Sequence, residues 1–206
     1  IEYARLTEGL CTPLGYDYYT GFLYVNDNGQ VVKIELEDGS IRERISVEGA
    51  SDLNGMDIDE EGNIYAADSD GNKVFRITPS GESVILYEGE ELNTPNGVLI
   101  RDGELIVASA GGNSLKSLNL DTRELTTLVE GIGRADGIIR LAGGHYITSS
   151  WTGEVYFISN KMEKKKILDT RAEEINAADI GYIPDQNLLV VPTFFDNRLV
   201  AYRLRY

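Results

Sequence analysis

Short apolar stretches separated by turns run along the whole chain, and their order repeats. Three copies open on a polar residue followed by glycine, namely Asn54-Gly55, Asn96-Gly97 and Asp136-Gly137. In each copy an apolar strand follows a turn, and two further strand-like segments complete the unit. Four short strands per unit, bounded by Gly, Asn and Asp, predict antiparallel sheets, and no segment shows a long helical pattern.

Two weaker copies flank these three, one opening at Thr12 and the other at Ala178. Equivalent positions in the five copies lie 40 to 42 residues apart. A repeat of about 40 residues that holds four strands is typical of a β-propeller blade. We therefore expect one all-β domain over residues 1–206 with five four-stranded blades. Their approximate boundaries are 9–49, 50–91, 92–132, 133–173, and 174–206 together with 1–8.

The two ends of the chain indicate how the ring closes. The last copy contains only three strands, and residues 2–6 form a short alternating segment that belongs to no other copy. We expect this segment to pair with residues 199–204 and to supply the fourth strand of the fifth blade, because closure would remove two exposed sheet edges. An incomplete or trimmed ring is the alternative.

Composition and charge exclude several classes of function. The chain of 206 residues has 34 acidic and 19 basic residues and a formal net charge of −15, which argues against sequence-independent binding of nucleic acid or anionic lipid. No apolar run approaches the roughly 20 residues of a membrane-spanning helix. The single cysteine, Cys11, cannot form an internal disulfide, and the single histidine, His145, excludes mechanisms that need two imidazoles.

The opening residues of the repeats predict a polar ring. In a propeller the innermost strands begin around one mouth of the central channel, which places Asn54, Asn96 and Asp136 there beside Thr12 and Ala178. Carboxylate and amide oxygens that converge on an axis suit Ca²⁺ or Mg²⁺. Since Asn-Gly and Asp-Gly are also common turn pairs, a water-filled polar lining is the alternative.

Aromatic residues are expected at the same mouth. The loops between the second and third strands of each blade should reach it, and two of them carry Trp151 and Phe194-Phe195. Aromatic walls above a polar floor predict a pocket for a small-molecule substrate or ligand, with Thr12 at its edge. Packing of these rings between blades is the competing interpretation.

The motifs Leu53-Asn54-Gly55, Pro95-Asn96-Gly97-Val98 and Ala135-Asp136-Gly137-Ile138 resemble those of the calcium-dependent gluconolactonase and regucalcin-like (SMP-30) propeller superfamily, which includes phosphotriesterases. Residues 175–182 and 191–197 look like bacterial members of that group. Residues 11–15 are closer to strictosidine-synthase-like propellers. The resemblance covers most of the chain, although each motif is short.

The resemblance implies that Asn54, Asn96 and Asp136 bind Ca²⁺ or another divalent cation such as Mg²⁺, that Asp136 is also the catalytic carboxylate, and that lactones or esters are hydrolysed. The family has a further ligand, a glutamate that opens the first blade, where this sequence has Thr12. It also has six blades rather than five. A metal-dependent hydrolase is the leading hypothesis. A non-catalytic NHL-like propeller that binds a small ligand or a protein is the alternative, and a shortened derivative of a six-bladed parent is a third.

The remaining expectations concern partners and location. We expect a monomer that binds a small molecule and neither nucleic acid nor membrane. The chain starts at Ile1 with no methionine and no basic-then-apolar leader, so either a leader has been removed or the sequence is trimmed. Resemblance to bacterial members favours an exported or periplasmic protein, with the cytoplasm as the alternative.

Overall fold

Nineteen short strands make up most of the regular structure of residues 6–205, the part of the chain that the computed structural model describes. The helical segments of that range are four 3₁₀ turns, at Ala142–Gly144, Arg171–Glu173, Pro184–Gln186 and Phe194–Asp196. Over the same range no helix is long and apolar enough to cross a membrane.

The strands form five antiparallel sheets in which neighbours pair in chain order. The first sheet contains β1 (Pro13–Tyr19), β2 (Phe22–Asp27), β3 (Gln30–Glu35) and β4 (Ile41–Ser46). The second contains β5 (Leu53–Ile58), β6 (Ile64–Asp68), β7 (Lys73–Ile77) and β8 (Ser83–Glu88). The third contains β9 (Pro95–Arg101), β10 (Glu104–Ser109), β11 (Ser114–Asn119) and β12 (Leu125–Glu130). The fourth contains β13 (Ala135–Leu141), β14 (His145–Ser150), β15 (Glu154–Ile158) and β16 (Lys164–Asp169), and the fifth contains β17 (Gly181–Ile183), β18 (Leu188–Pro192) and β19 (Leu199–Arg203).

Glycines let the innermost strands of successive sheets approach each other closely. Gly55 on β5 lies against the backbone of Asn96 and Gly97 on β9, where a Cβ would overlap with backbone atoms. Gly15 on β1 meets the backbone of Asn54 in the same way. The glycine of each repeated pair is therefore needed for strand packing, because any side chain would push two sheets apart.

Apolar side chains fill the spaces between successive sheets. Four clusters of buried residues join the first sheet to the second, the second to the third, the third to the fourth and the fourth to the fifth. Phe75, Leu105, Ile158 and Leu189, one from each cluster, are at most 1% exposed. Burial of each such side chain stabilises the fold by about 1.5–3 kcal/mol. The five-bladed β-propeller expected from the repeat is confirmed.

The fifth sheet shows three strands, with β19 at its outer edge. The expected pairing of the N-terminal segment with this edge falls largely on residues 1–5, which lie outside the described residues. The next residues of that segment lie on the first blade. Leu6 and Leu10 pack there against a buried cluster of Val25, Val32 and Ile34.

Candidate functional site

One mouth of the central channel is formed where the innermost strands begin. At its first residue each of β1, β5, β9 and β13 pairs with the end of the next strand, and the register then shifts within three residues. Such a bulge redirects a side chain relative to the sheet. The residues that follow the first paired position are Leu14, Asn54, Asn96 and Asp136, and all four line a cavity of about 420 Å³.

Leu14, rather than Thr12, occupies the first-blade position of this ring. Pro13 pairs with the end of β2 just as the first residue of β5 pairs with the end of β6, so the equivalent of Asn54 is the residue after Pro13. Thr12 lies in the preceding loop, where its backbone N–H donates to Asp27 Oδ1 at 2.7 Å. The expectation that Thr12 lines the pocket is corrected, because the buried Asp27 carboxylate holds Thr12 outside the ring.

In the fifth blade the equivalent residue is Asp179, and not Ala178. Gly137 lies against Asp179 and the backbone N of Ile180, as Gly97 lies against Asp136 in the neighbouring pair of strands. The backbone of Ala178 is engaged instead: its N–H donates to Pro192 O at 3.1 Å. The sequence analysis placed Ala178 in the ring, although the dipeptide Ala178-Asp179 repeats Ala135-Asp136 and could have identified Asp179 as the equivalent residue. The ring thus contains two carboxylates, two amides and one leucine.

Asp136 is the most enclosed acid of the ring, at 6% exposure. Within residues 6–205 no N–H or O–H group donates a hydrogen bond to its carboxylate, and the side chain lines the cavity at the mouth. Burial raises the pKa of Asp136 well above its usual value, and the Asp179 carboxylate raises it further, while Arg134 opposes both. A buried carboxylate without donors requires either a proton or a cation beside it.

Asp179 lies between the two ends of the channel, and it lines both the cavity at the mouth and a second cavity on the other side of the ring. The side chain of Asp179 is exposed to these cavities, where the surrounding protein displaces part of the water that would stabilise its charge. Burial raises the pKa of Asp179 to about 6, and the carboxylate of Asp17 adds to the effect, while the backbone N–H of Ile180 opposes it. The ring carboxylates therefore lie in surroundings that disfavour their charge, and the charge of Asp179 disfavours that of Asp136.

The two ring amides have unused acceptors. Asn54 Nδ2 donates to Ser69 Oγ at 3.2 Å, and Ser69 Oγ donates to Pro95 O at 2.7 Å. These bonds fix the amide of Asn54 and leave its Oδ1 without a donor from the described part of the chain. Asn96 has no side-chain hydrogen bond within residues 6–205. Both amides can therefore offer a neutral oxygen to a ligand at the mouth.

The predicted aromatic residues come together at this mouth. The ring centroids of Trp151 and Phe194 are 4.6 Å apart, and those of Phe194 and Phe195 are 4.8 Å apart, both in edge-to-face arrangements. Trp151 and Phe194 line the cavity that contains Asp136. Phe195 does not line it, and its ring packs against the other two from outside.

The opposite end of the channel opens into a larger cavity of about 910 Å³. Asp17 and Asp57 line it on adjacent strands, and this acidic pair was missed although Gly15-Tyr16-Asp17 repeats Gly55-Met56-Asp57. Burial raises the pKa of Asp57 to about 7, and the neighbouring Asp17 adds to it, while the N–H of Ile100 and the cation of Arg101 oppose it.

The only histidine of the chain, His145, also borders the larger cavity. Its Nδ1 accepts a hydrogen bond from the Asn160 backbone N–H at 3.1 Å, and its ring packs against Phe157. This side chain does not line the cavity that contains Asn54, Asn96 and Asp136.

No protein-family model matches the sequence, and no curated protein matches it in sequence. The fold matches solved propellers. Virginiamycin B lyase from Staphylococcus aureus is 13% identical at a TM-score of 0.69, covering 94% of this chain and 70% of that one. A catalytically inactive form of that lyase with quinupristin is 15% identical at a TM-score of 0.74, covering 94% and 66%. A chain of the nidogen/laminin complex is 15% identical at a TM-score of 0.78, covering 93% and 76%.

The chain thus spans about two thirds to three quarters of the length of these proteins. At such low identity the likeness shows the fold alone. It supports the β-propeller fold, and it does not support the gluconolactonase assignment.

Proposed function

We propose that the channel mouth binds a divalent cation through Asp136, Asp179, Asn54 and Asn96, and that the protein hydrolyses lactones or esters there. The observation that carries this proposal is the Asp136 carboxylate, which is 6% exposed and accepts no hydrogen bond from residues 6–205. A second carboxylate beside it makes the cost of charge larger. A bound cation would relieve both costs.

The donor set fits a hard cation. Over residues 6–205 no three His, Cys, Asp or Glu side chains gather closely enough to form a metal cluster by themselves, so the two amide oxygens are needed. Calcium takes about 6–8 oxygen ligands, so two carboxylates and two amides leave coordination positions for water or substrate. Asp179 supplies a second carboxylate, which the resemblance placed on the first blade, where Leu14 stands.

A divalent cation bound there would polarise the carbonyl of a lactone or ester and stabilise the charge that develops on its oxygen. The Asp136 carboxylate would take a proton from the attacking water as the general base. Water oxygen then bonds to the carbonyl carbon, the ester C–O bond breaks, and the proton from Asp136 passes to the leaving alkoxide. Asn54 and Asn96 hold the site without adding charge.

A binding propeller without catalytic activity is the second candidate. The observation that favours it is Leu14, an apolar residue in the ring position where the resembling family has a ligand. One structural neighbour comes from the nidogen/laminin complex, which shows that such propellers occur in protein assemblies.

Thermal melts test the cation site directly. Calcium titrated into the protein after removal of EDTA should raise the melting temperature until the site is saturated. At a calcium concentration 100 times the dissociation constant, the folded state should be more stable by about 2.7 kcal/mol. Asp136→Asn should lose this response, and in EDTA it should melt no lower than the wild type because it removes a buried charge. Asp185→Asn, an exposed acid outside the cavity, is the matched control and should respond like the wild type.

Activity is measured only after binding. Hydrolysis of lactones and esters, followed by acid release, should require calcium and stop in Asp136→Asn. An absent calcium shift, or an equal shift in both variants, would reduce the ring to a polar channel lining and favour the binding propeller.

A further inference from the structure

The aromatic group at the mouth remains unusually open to solvent. Phe194 is 52% exposed and Phe195 is 73% exposed, although both rings pack edge-to-face within the group. Together with Trp151 they form one apolar rim, which we call the aromatic rim. Exposed aromatic clusters beside a polar cavity are typical of ligand-binding surfaces, because the rings keep apolar area available for a partner.

The backbone holds the aromatic rim in place. Phe194 has a φ of 49°, in the left-handed region that phenylalanine rarely adopts. The turn is fixed by Thr193, which is 2% exposed. The backbone N–H of Thr193 donates to Arg198 O at 2.9 Å, and its Oγ1 accepts from the Arg198 N–H at 2.9 Å. The backbone N–H of Trp151 donates to the backbone carbonyl of Arg134 at 2.8 Å. These hydrogen bonds hold Phe194 at the cavity despite its unfavourable backbone conformation.

The charge at the mouth limits which ligands can reach this rim. Asp136 and Asp179 lie in the same cavity as Trp151 and Phe194, and the chain has a net charge of −15. The net charge repels anionic ligands at a distance, while at the floor Arg134 lines the same cavity and offsets part of the negative charge of the two acids. The cavity, at about 420 Å³, is within the size range of small-molecule sites.

Resting on the proposed function, we propose that the substrates are uncharged lactones or esters that carry a flat aromatic group. The aromatic group packs on Phe194 and Trp151, and the carbonyl lies at the floor formed by Asp136 and the ring amides. The rim thus sets substrate class, and the ring performs the chemistry.

Intrinsic fluorescence can test this without catalysis, because Trp151 is the only tryptophan of the chain. The probes are phthalide and γ-butyrolactone, which share the lactone ring and differ by the fused benzene ring. Each is titrated in EDTA and again in calcium. We expect phthalide to bind about tenfold more tightly, because its benzene ring packs on Trp151 and Phe194 and buries apolar area that γ-butyrolactone lacks.

Phe194→Ala should weaken phthalide binding by about tenfold and leave γ-butyrolactone unchanged. Leu199→Ala removes an apolar side chain that is 68% exposed on the same blade and does not line the cavity, so it should change neither. Circular dichroism melts of both variants report whether the fold is retained, and Phe194→Leu provides a milder truncation.

The outcomes separate the two proposals. Equal affinity for both lactones, or phthalide binding that Phe194→Ala and Phe194→Leu leave intact, overturns the aromatic preference even if calcium-dependent hydrolysis is found. Preferential phthalide binding without any calcium-dependent hydrolysis overturns the proposed function and the substrate assignment, and leaves the rim as a ligand site.

Discussion

At the scale of single residues, the spacing of the inner strands depends on glycines that have no room for a side chain. A Cβ at Gly97 would overlap with the carbonyl oxygen of Asp136 on the next strand. The obstacle is backbone on both sides, so no side-chain rotation can relieve it. The same glycine positions the peptide that carries the ring carboxylate.

Gly97→Ala is therefore expected to destabilise the protein by about 1–3 kcal/mol, the usual cost of overpacking. Gly181→Ala is the matched control, because Gly181 also lies on an innermost strand and has no atom within 4 Å of an added Cβ. That variant should be neutral or slightly stabilising, since alanine restricts the unfolded chain. Urea unfolding of the two variants checks the difference, and equal midpoints would contradict the close approach seen at Gly97.

The ring could be predicted from the sequence only where an Asn-Gly or Asp-Gly pair marked it. Asn54, Asn96 and Asp136 are brought to one cavity. The first and fifth blades lack the polar-glycine pair, so their register depended on spacing alone and was displaced to Thr12 and Ala178. A bulge changes the number of residues between equivalent positions without requiring a particular residue type. Even regular repeats can therefore be misaligned by one or two positions.

At the scale of elements, the second strand of a blade ends in a buried acceptor that anchors the loop entering the innermost strand. Asp68 is fully buried at the end of β6 and accepts hydrogen bonds from the N–H groups of Ser51 and Asp52, each at 2.8 Å. Asp27 does the same at the end of β2 for Cys11 and Thr12. These bonds fix where the inner strand starts, and so fix the bulge that forms the mouth.

Asp68→Ala should cost about 3 kcal/mol of folding free energy, because it removes a carboxylate acceptor and leaves buried N–H groups unpaired. Asp70→Ala, two residues later and exposed, should have almost no effect. Chemical denaturation measures both values. Similar stabilities for the two variants would show that the entry loop is held by something other than Asp68.

Strand content and blade order were more predictable than contacts between blades. Apolar segments with turn residues at each end identify strands locally, and every strand of the confirmed sheets except the three-residue β17 is five to seven residues long. The sequence did not indicate that Leu6 packs on the first blade, because a single apolar residue has no period. Closure by residues 1–5 remains a prediction.

At the scale of the whole molecule, acidic residues connect one blade to the next across the channel wall. Asp17 on β1 accepts from the Ile58 N–H of the second blade at 3.0 Å. Asp57 on β5 accepts from the Ile100 N–H of the third blade at 2.7 Å. Each acid is therefore held between two blades, and ionising both places two charges close together in a partly buried site.

The ionisation of Asp57 should make stability fall as pH rises through the acidic range. Its pKa is raised from 3.8 to about 7 in the folded state, so between about pH 4 and pH 7 the unfolded chain loses a proton that the folded chain keeps. Stability from this group is complete below that window and lost above it. Asp57→Asn keeps an acceptor for Ile100 and removes the charge, so its unfolding free energy relative to wild type should increase across the window and then level off. Urea melts at several pH values measure the difference, and a constant offset would show that Asp57 ionises normally in the fold.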